Sequence, residues 1–221
     1  MQSEEGGSFL LQPQSVIVGP QLTRVTLEVN RSLKAVRIGF HPGGLHRLIG
    51  YSMHRIIDGS FNAADVFGNE IEELNERFLQ APDFDAIKEI TEQFLLQKAK
   101  KLRNILPFDK AMLELMKNDG NIPIEKIASM ACLSLRQFER LSKERIGFPP
   151  KLFARLVRFS KAYRLREDFP EWNWTRIAYE CNYFDQMHFI RDFKQFAGVT
   201  PGVIEKELAH TPFRMQTGRQ F

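Results

Sequence analysis

The stretch IASMACLSLRQF, residues 127–138, returns as IAYECNYFDQMHF, residues 177–189. Ile127-Ala128 matches Ile177-Ala178 and Ala131 matches Cys181 at an offset of 50. At an offset of 51, Phe138 then matches Phe189, Arg140 matches Arg191, Gly147 matches Gly198 and Pro150 matches Pro201. The change of offset falls in a short turn, where one extra residue does little harm. Each copy reads as a short helix with small residues on its inner face, a tight turn, and a second amphipathic helix. That is the pattern of a helix-turn-helix, in which the first helix braces the second and the second lies in the major groove. Two such units on one chain predict a two-headed DNA reader.

Working outward, Phe108 to Lys117 predicts a helix closed by Asn118-Asp119-Gly120, and Pro123 to Met130 a second one that opens on a good first-turn residue. Ser134 is the expected N-cap of a helix that runs to Ile146 and is stopped by Gly147. A long helix from Pro149 to Glu167 joins the copies. Thr175 to Cys181, Asp185 to Ala197 and Pro201 to Leu208 complete the set, and a frayed tail is expected from Ala209. The joining segment 149–166 would span roughly 27 Å as a helix, near the roughly 34 Å between successive major-groove faces.

Small residues should pack the turns: Ala128 and Ala131 in one copy, Ala178 and Cys181 in the other. The first reading helix is expected to bury Leu135, Phe138 and Leu141. It then presents Arg136, Gln137, Glu139, Arg140 and Lys143. The second is expected to bury Phe189, Phe193 and Phe196. It presents Gln186, Met187, Ile190, Arg191 and Lys194, with His188 beside them and Asp185 as an N-cap. Arginine can pair with guanine bidentately and glutamine with adenine. Lys151, Arg155, Arg158, Lys161, Arg164 and Arg166 on the joining helix are candidates for phosphate contacts, some of them for structural pairs instead.

Charge supports this division. Residues 1–104 carry 12 Lys/Arg against 13 Asp/Glu, whereas 105–221 carry 19 against 14. Between 143 and 166 eight basic residues face only Glu144, a clustering that suits a polyanion.

The first half reads differently. Phe9 to Val18, Arg24 to Val29 and Ala35 to Phe40 are expected strands, rich in β-branched residues and punctuated by Gly19-Pro20 and Asn30-Arg31-Ser32. His41-Pro42-Gly43-Gly44 ends them. Ile71, Leu74, Phe78 and Leu79 then line a helix stopping before Pro82. Phe84, Ile87, Ile90, Phe94 and Leu95 line another that ends in Lys98, Lys100, Lys101 and Arg103, where cations complement the helix dipole. The expected class is therefore α+β: a small strand-and-helix-pair region, then an all-α domain of two helix-turn-helix units joined by a long helix. Pro107 marks the boundary, giving 1–104, 105–210 and a tail over 211–221.

The run IASMACLSLRQFERLSKERIGFPPKLFARLVRFSKA resembles the first half of the AraC-type transcriptional regulator domain, and IAYECNYFDQMHFIRDFKQFAGVTP resembles its second-half signature. The resemblance covers about residues 107–208. It implies a bacterial, cytoplasmic transcription regulator with a seven-helix DNA-binding domain. Its base-reading positions correspond to Arg136, Glu139 and Arg140, and to Gln186, Met187 and Arg191, while Arg158 and Ala162 match its linker helix. Ser142 stands where the family usually has a core aromatic, Asn182 replaces a common glycine, and Glu139 and Met187 are unusual groove-facing choices. Val18-Gly19-Pro20-Gln21 and Ile38-Gly39-Phe40-His41-Pro42-Gly43-Gly44, followed by the helix pair, resemble the later part of a sensor-like domain found ahead of some AraC-type domains. Too few strands precede them to close a barrel, so a partial sensor or dimerisation domain is expected.

The partners implied are double-stranded DNA, a small-molecule effector or a second copy acting through the first half, and RNA polymerase in the case of an activator. The other reading is an interaction or architectural module with weak DNA binding. Several classes lack support. No apolar run approaches eighteen residues, so no membrane span is expected. MQSEEGGSF lacks the regions of a secretory signal. Phosphate loops, nucleophile elbows and paired catalytic carboxylates are not visible, so an enzyme is not expected. His41, His46 and His54 lack acidic partners at ligand spacing, and neither a metal nor a cofactor is expected. Cys132 and Cys181 are expected as small, reduced core residues. Trp172 and Trp174 should wedge the long helix against the second unit.

Overall fold

The computed structural model describes residues 2–3, 9–23, 25, 27–28, 35–102 and 104–208. The chain divides into two compact units, one holding most residues up to Ile105 and the other most residues from Leu106 onward.

In the first unit, β1 (Gln2–Ser3) pairs antiparallel with β2 (Phe9–Leu10), and β3 (Val16–Val18) with β4 (Ser60–Asn62). Ile17 stands opposite Phe61 and is buried between exposed Val16 and Val18. The helices are α1 (Gly44–Ile49), a 3-10 turn over Met53–Ile56, α2 (Ala64–Phe67), α3 (Asn69–Gln80) and α4 (Phe84–Ala99). Asp83 caps α4 by accepting from the Ala86 N–H at 2.8 Å, as its short acceptor side chain suits it to do. Ile17, Ile49, Met53, Ala63, Ile71, Leu74 and Phe94 form the core. Lys98 reaches back from the end of α4 to Glu70 and lies over the Phe67 and Phe94 rings. That bond holds the Glu70 carboxyl below its ordinary range.

The strand expectations need correction. Ala35–Phe40 is exposed and carries no strand. The partner of β3 is Ser60–Asn62, a segment too short to show any alternation. The expected strand 24–29 lies partly outside the described residues, and so does the turn at 30–32. His46 is 5% exposed and bonds the Tyr51 carbonyl through Nδ1 at 2.8 Å, the state of a satisfied core histidine. Among the described residues no cluster of potential ligands fits a metal ion.

The second unit is helical: α5 (Pro107–Lys117), α6 (Ile124–Met130), α7 (Leu135–Arg145), α8 (Pro150–Asp168), α9 (Trp174–Glu180), α10 (Gln186–Ala197) and α11 (Pro201–Leu208). Around α6 and α7 the buried residues are Phe108, Ala111, Met112, Leu115, Ile124, Ile127, Ala128, Ala131 and Phe138. Phe108 meets Phe138 with ring centroids 4.9 Å apart. Around α9 and α10, Ile177, Ala178, Cys181, Tyr183, Phe189, Phe193 and Ile204 close on Ala162 of α8. Trp174 packs on Phe193 (5.0 Å) and Phe189 (5.8 Å), the wedge the sequence predicts. Trp172 also packs on this cluster and stacks between Phe169 (4.3 Å) at the end of α8 and the Arg176 guanidinium (3.8 Å) of α9. The tail from Ala209 lies outside the described residues.

Candidate nucleic-acid interface

The duplication seen in the sequence is repeated hydrogen bond for hydrogen bond. At the end of α6 the Cys132 N–H donates to Ser129 O (2.9 Å) and the Leu133 N–H to Ala128 O (3.0 Å). At the end of α9 the Asn182 N–H donates to Tyr179 O (2.9 Å) and the Tyr183 N–H to Ala178 O (3.1 Å). Both are Schellman closures, which need a left-handed residue just past the helix. Cys132 and Asn182 fill that place with φ of 55° and 57°. Asparagine thus does serve where glycine is usual. Cys132 is exposed there, which corrects its expected place in the core. Only Cys181 is buried, and burial pushes its thiol up to about 12. The folded protein should therefore titrate with one fast thiol, supplied by Cys132, since the thiolate is the reactive form. A thiol reagent that labels Cys181 as quickly in a Cys132→Ser variant would contradict this.

Helices α7 and α10 are started by caps of the same kind. Ser134 Oγ accepts from the Gln137 N–H (3.3 Å), and Gln137 Oε1 accepts from the Ser134 N–H (3.0 Å) and hydroxyl (2.9 Å). This is a capping box. Its signature, Ser-Leu-Arg-Gln, is present in the sequence, and the side chain of Gln137, a candidate base reader by residue type, turns back onto the cap instead. Asp185 caps α10 by accepting from the His188 N–H, as expected.

On α7, Phe138 is fully buried, Leu141 half-buried and Leu135 39% exposed, so Leu135 is not the core residue expected. Ser142 takes the buried place instead. Its hydroxyl donates to Phe148 O at 2.7 Å, which satisfies the polar group that replaces the family's aromatic. Arg136, Arg140 and Lys143 are exposed and Glu139 is half-buried. Arg140 comes within 3.8 Å of Glu144, with side chains 70% and 45% exposed. A pair so solvated holds its members only weakly.

On α10, Phe189, Phe193 and Phe196 are buried, while Gln186, Met187, Arg191 and Lys194 are exposed. Ile190 is half-buried against the core rather than free for contact. Lys151 at the start of α8 is exposed.

Several basic side chains of α8 have other work. Arg155 sends Nε (3.0 Å) and Nη2 (2.7 Å) to a single oxygen of Asp192, and Nη2 also to Gln195 Oε1. Asp192 is 1% exposed, and a carboxylate this buried requires its cation. Arg155, expected as a phosphate contact, is thus the bolt between α8 and α10. Sequence reasoning missed Asp192 because an acid among Phe189, Phe193 and Phe196 carries no periodic signal. Lys161 pairs with Asp119 at 2.9 Å, and Arg166 donates to the Pro170 and Trp172 carbonyls. The Arg158 guanidinium lies 5.7 Å from the Tyr183 ring centroid. Burial, and then the charge of Asp192, raise the Tyr183 hydroxyl well above its ordinary range, so it stays protonated. His188 is half-buried, edge-on to Tyr183 at 5.4 Å and 3.8 Å from Asp192. Arg155, Phe184, Asp185, His188, Arg191 and Asp192 line an open hollow of about 410 Å³.

With this geometry in place, the comparisons with known proteins are direct. The family model described as helix-turn-helix domain matches residues 127–207. Over these 81 of the 221 residues the chain is therefore similar to helix-turn-helix domains. Over 100 residues the chain is 30% identical to a Haemophilus influenzae protein described as an uncharacterized HTH-type transcriptional regulator. That match takes in 45% of this chain and 32% of the relative, so the chain spans about a third of the relative's length. No solved structure matches the chain. Among the described residues no helix is long and apolar enough to cross a membrane.

Proposed function

We propose that the chain is a cytoplasmic transcriptional regulator that binds double-stranded DNA by sequence, setting α7 and α10 into successive major grooves on one face of the duplex. The observation that carries this reading is the repeated unit itself. Two Schellman turns and two side-chain caps start two helices whose matched positions, Arg140 and Arg191, face solvent. The helix between them, α8, has 19 residues and is about 28 Å long at the α-helical rise. The relative's description as a transcriptional regulator supports the same conclusion. Residues 105–210 are then the reading domain. Residues 1–104, which lack the positive charge, are where an effector or a second copy acts, and RNA polymerase is the further partner if the protein activates.

Selection of bound sequences from a random duplex pool, followed by footprinting, tests this. Two protected patches about one helical turn apart are expected; one short patch contradicts the reading. On the selected duplex, Arg140→Ala and Arg191→Ala should each cost about 1–3 kcal/mol and relax preference in different halves of the site. Lys151→Ala should weaken all sequences alike and lower the salt slope by roughly 1. Unchanged preference in both arginine variants would remove the assignment of the reading faces.

A further inference from the structure

The two copies of the unit differ by one residue in the turn, and the structure identifies which. Leu133 and Tyr183 occupy equivalent places in the Schellman closures, and Ser134 and Asp185 are the equivalent caps. The residue without a counterpart is Phe184, inserted between closure and cap. Its side chain is 93% exposed, the most exposed large apolar residue among those described. A phenyl ring placed in water at a turn contributes nothing to the fold that a serine would not.

Phe184 stands immediately ahead of the N-terminus of α10, the end of a reading helix that meets base edges. It lines the same hollow as Arg191 and His188. Met187, on the first turn of the helix, is 63% exposed. The surface here therefore mixes a ring and a thioether with a guanidinium. The major groove offers the matching mixture: acceptors on guanine for an arginine, and the C5-methyl group of thymine for an apolar side chain. We propose that Phe184 reads a thymine methyl group beside the base contacted by Arg191, so that the second half of the site carries a thymine requirement for which the first half has no equivalent. This inference rests on the DNA-reading role proposed above.

The test uses the full chain and the duplex it selects from a random pool. Each thymine is replaced in turn by deoxyuridine, which removes the methyl group and leaves the pairing edge intact. At one thymine in the half read by α10, the loss for the unaltered chain should be about fourfold, the worth of one methyl withdrawn from water. Phe184→Ala should lose a similar factor on the thymine duplex and show no further loss with uracil; Phe184→Leu should keep most of the discrimination. Because the side chain is exposed, all three proteins should melt alike. If Phe184→Ala discriminates thymine from uracil as well as the unaltered chain does, the methyl contact is wrong. Equal weakening on both duplexes in every protein places the ring on the backbone, and unchanged DNA binding with a loss of self-association assigns it to a protein contact; either result overturns the inference. A chain that enriches no duplex at all overturns the DNA-reading role beneath it.

Discussion

Phe193→Ala is expected to cost about 3–5 kcal/mol, the range for truncating a fully buried aromatic. Phe193 is completely inaccessible to solvent. Its ring meets Trp174 at 5.0 Å, Phe159 at 5.2 Å and Phe189 at 5.5 Å, and so joins α8, α9 and α10. Removing it leaves a void lined by three aromatic rings, which cannot collapse without pulling α10 off α8. For a unit of roughly 100 residues each kcal/mol is worth about 4–8 °C, so the melting temperature should fall by at least about 12 °C. Tyr179→Ala, at a site 79% exposed, should stay within about 0.5 kcal/mol. Thermal unfolding followed by circular dichroism reads both. A loss below about 1 kcal/mol for Phe193→Ala would mean that the three helices are not packed through this ring.

A single added methyl group should do comparable damage at Gly120. This residue closes α5: its N–H donates to Leu115 O at 2.9 Å, and the Asp119 N–H to Met116 O at 3.0 Å. Its φ is +72°, and a Cβ built there would lie 2.2 Å from the carbonyl oxygen of Ala154. Left-handed backbone costs an alanine about 1–2 kcal/mol. The clash adds about 1–3 kcal/mol, because the atom struck is helix backbone in α8 and has no rotamer to escape into. Gly120→Ala should therefore lose about 2–5 kcal/mol. Gly202→Ala is the contrast, since nothing lies within 4 Å of its added Cβ. In an exposed helical turn it should gain about 0.4–1 kcal/mol. Equal melting temperatures for the two variants would contradict the close approach of α8 to the α5 turn.

The second unit was legible because its signals are local and repeated. Small residues at Ala128, Ala131, Ala178 and Cys181, helix stops at Gly147 and Gly198, and prolines at 150 and 201 each act within a few residues. The same residue types in the same order gave the same hydrogen bonds. What escaped was decided by partners distant in sequence. Arg155 reads as one cation in a basic run, and only the fold brings it 37 positions along to Asp192. Gln137 has the composition of a base reader, and a bond three residues back decides its role. In the first unit, the expected strand Phe9–Val18 is broken over residues 11–15 and survives as Phe9–Leu10 and Val16–Val18, and the partner of the latter, Ser60–Asn62, has three residues and no alternation to read. Ala35–Phe40 carries strand-like side chains, but without a pairing partner composition alone builds no ladder.

The ion pairs of α8 bear on more than stability. Lys161 fastens this helix to Asp119 in the turn after α5, and Arg155 fastens it to Asp192 in α10. If α7 and α10 read DNA as proposed, a joining helix pinned at these two points would measure as well as recognise. One base pair added between the two halves of its site would turn one half about a tenth of a revolution away from the other, and a clamped rod has no torsional slack with which to follow. The spacing of the site would then be as much a part of its information as its letters, enforced by two salt bridges that touch no base.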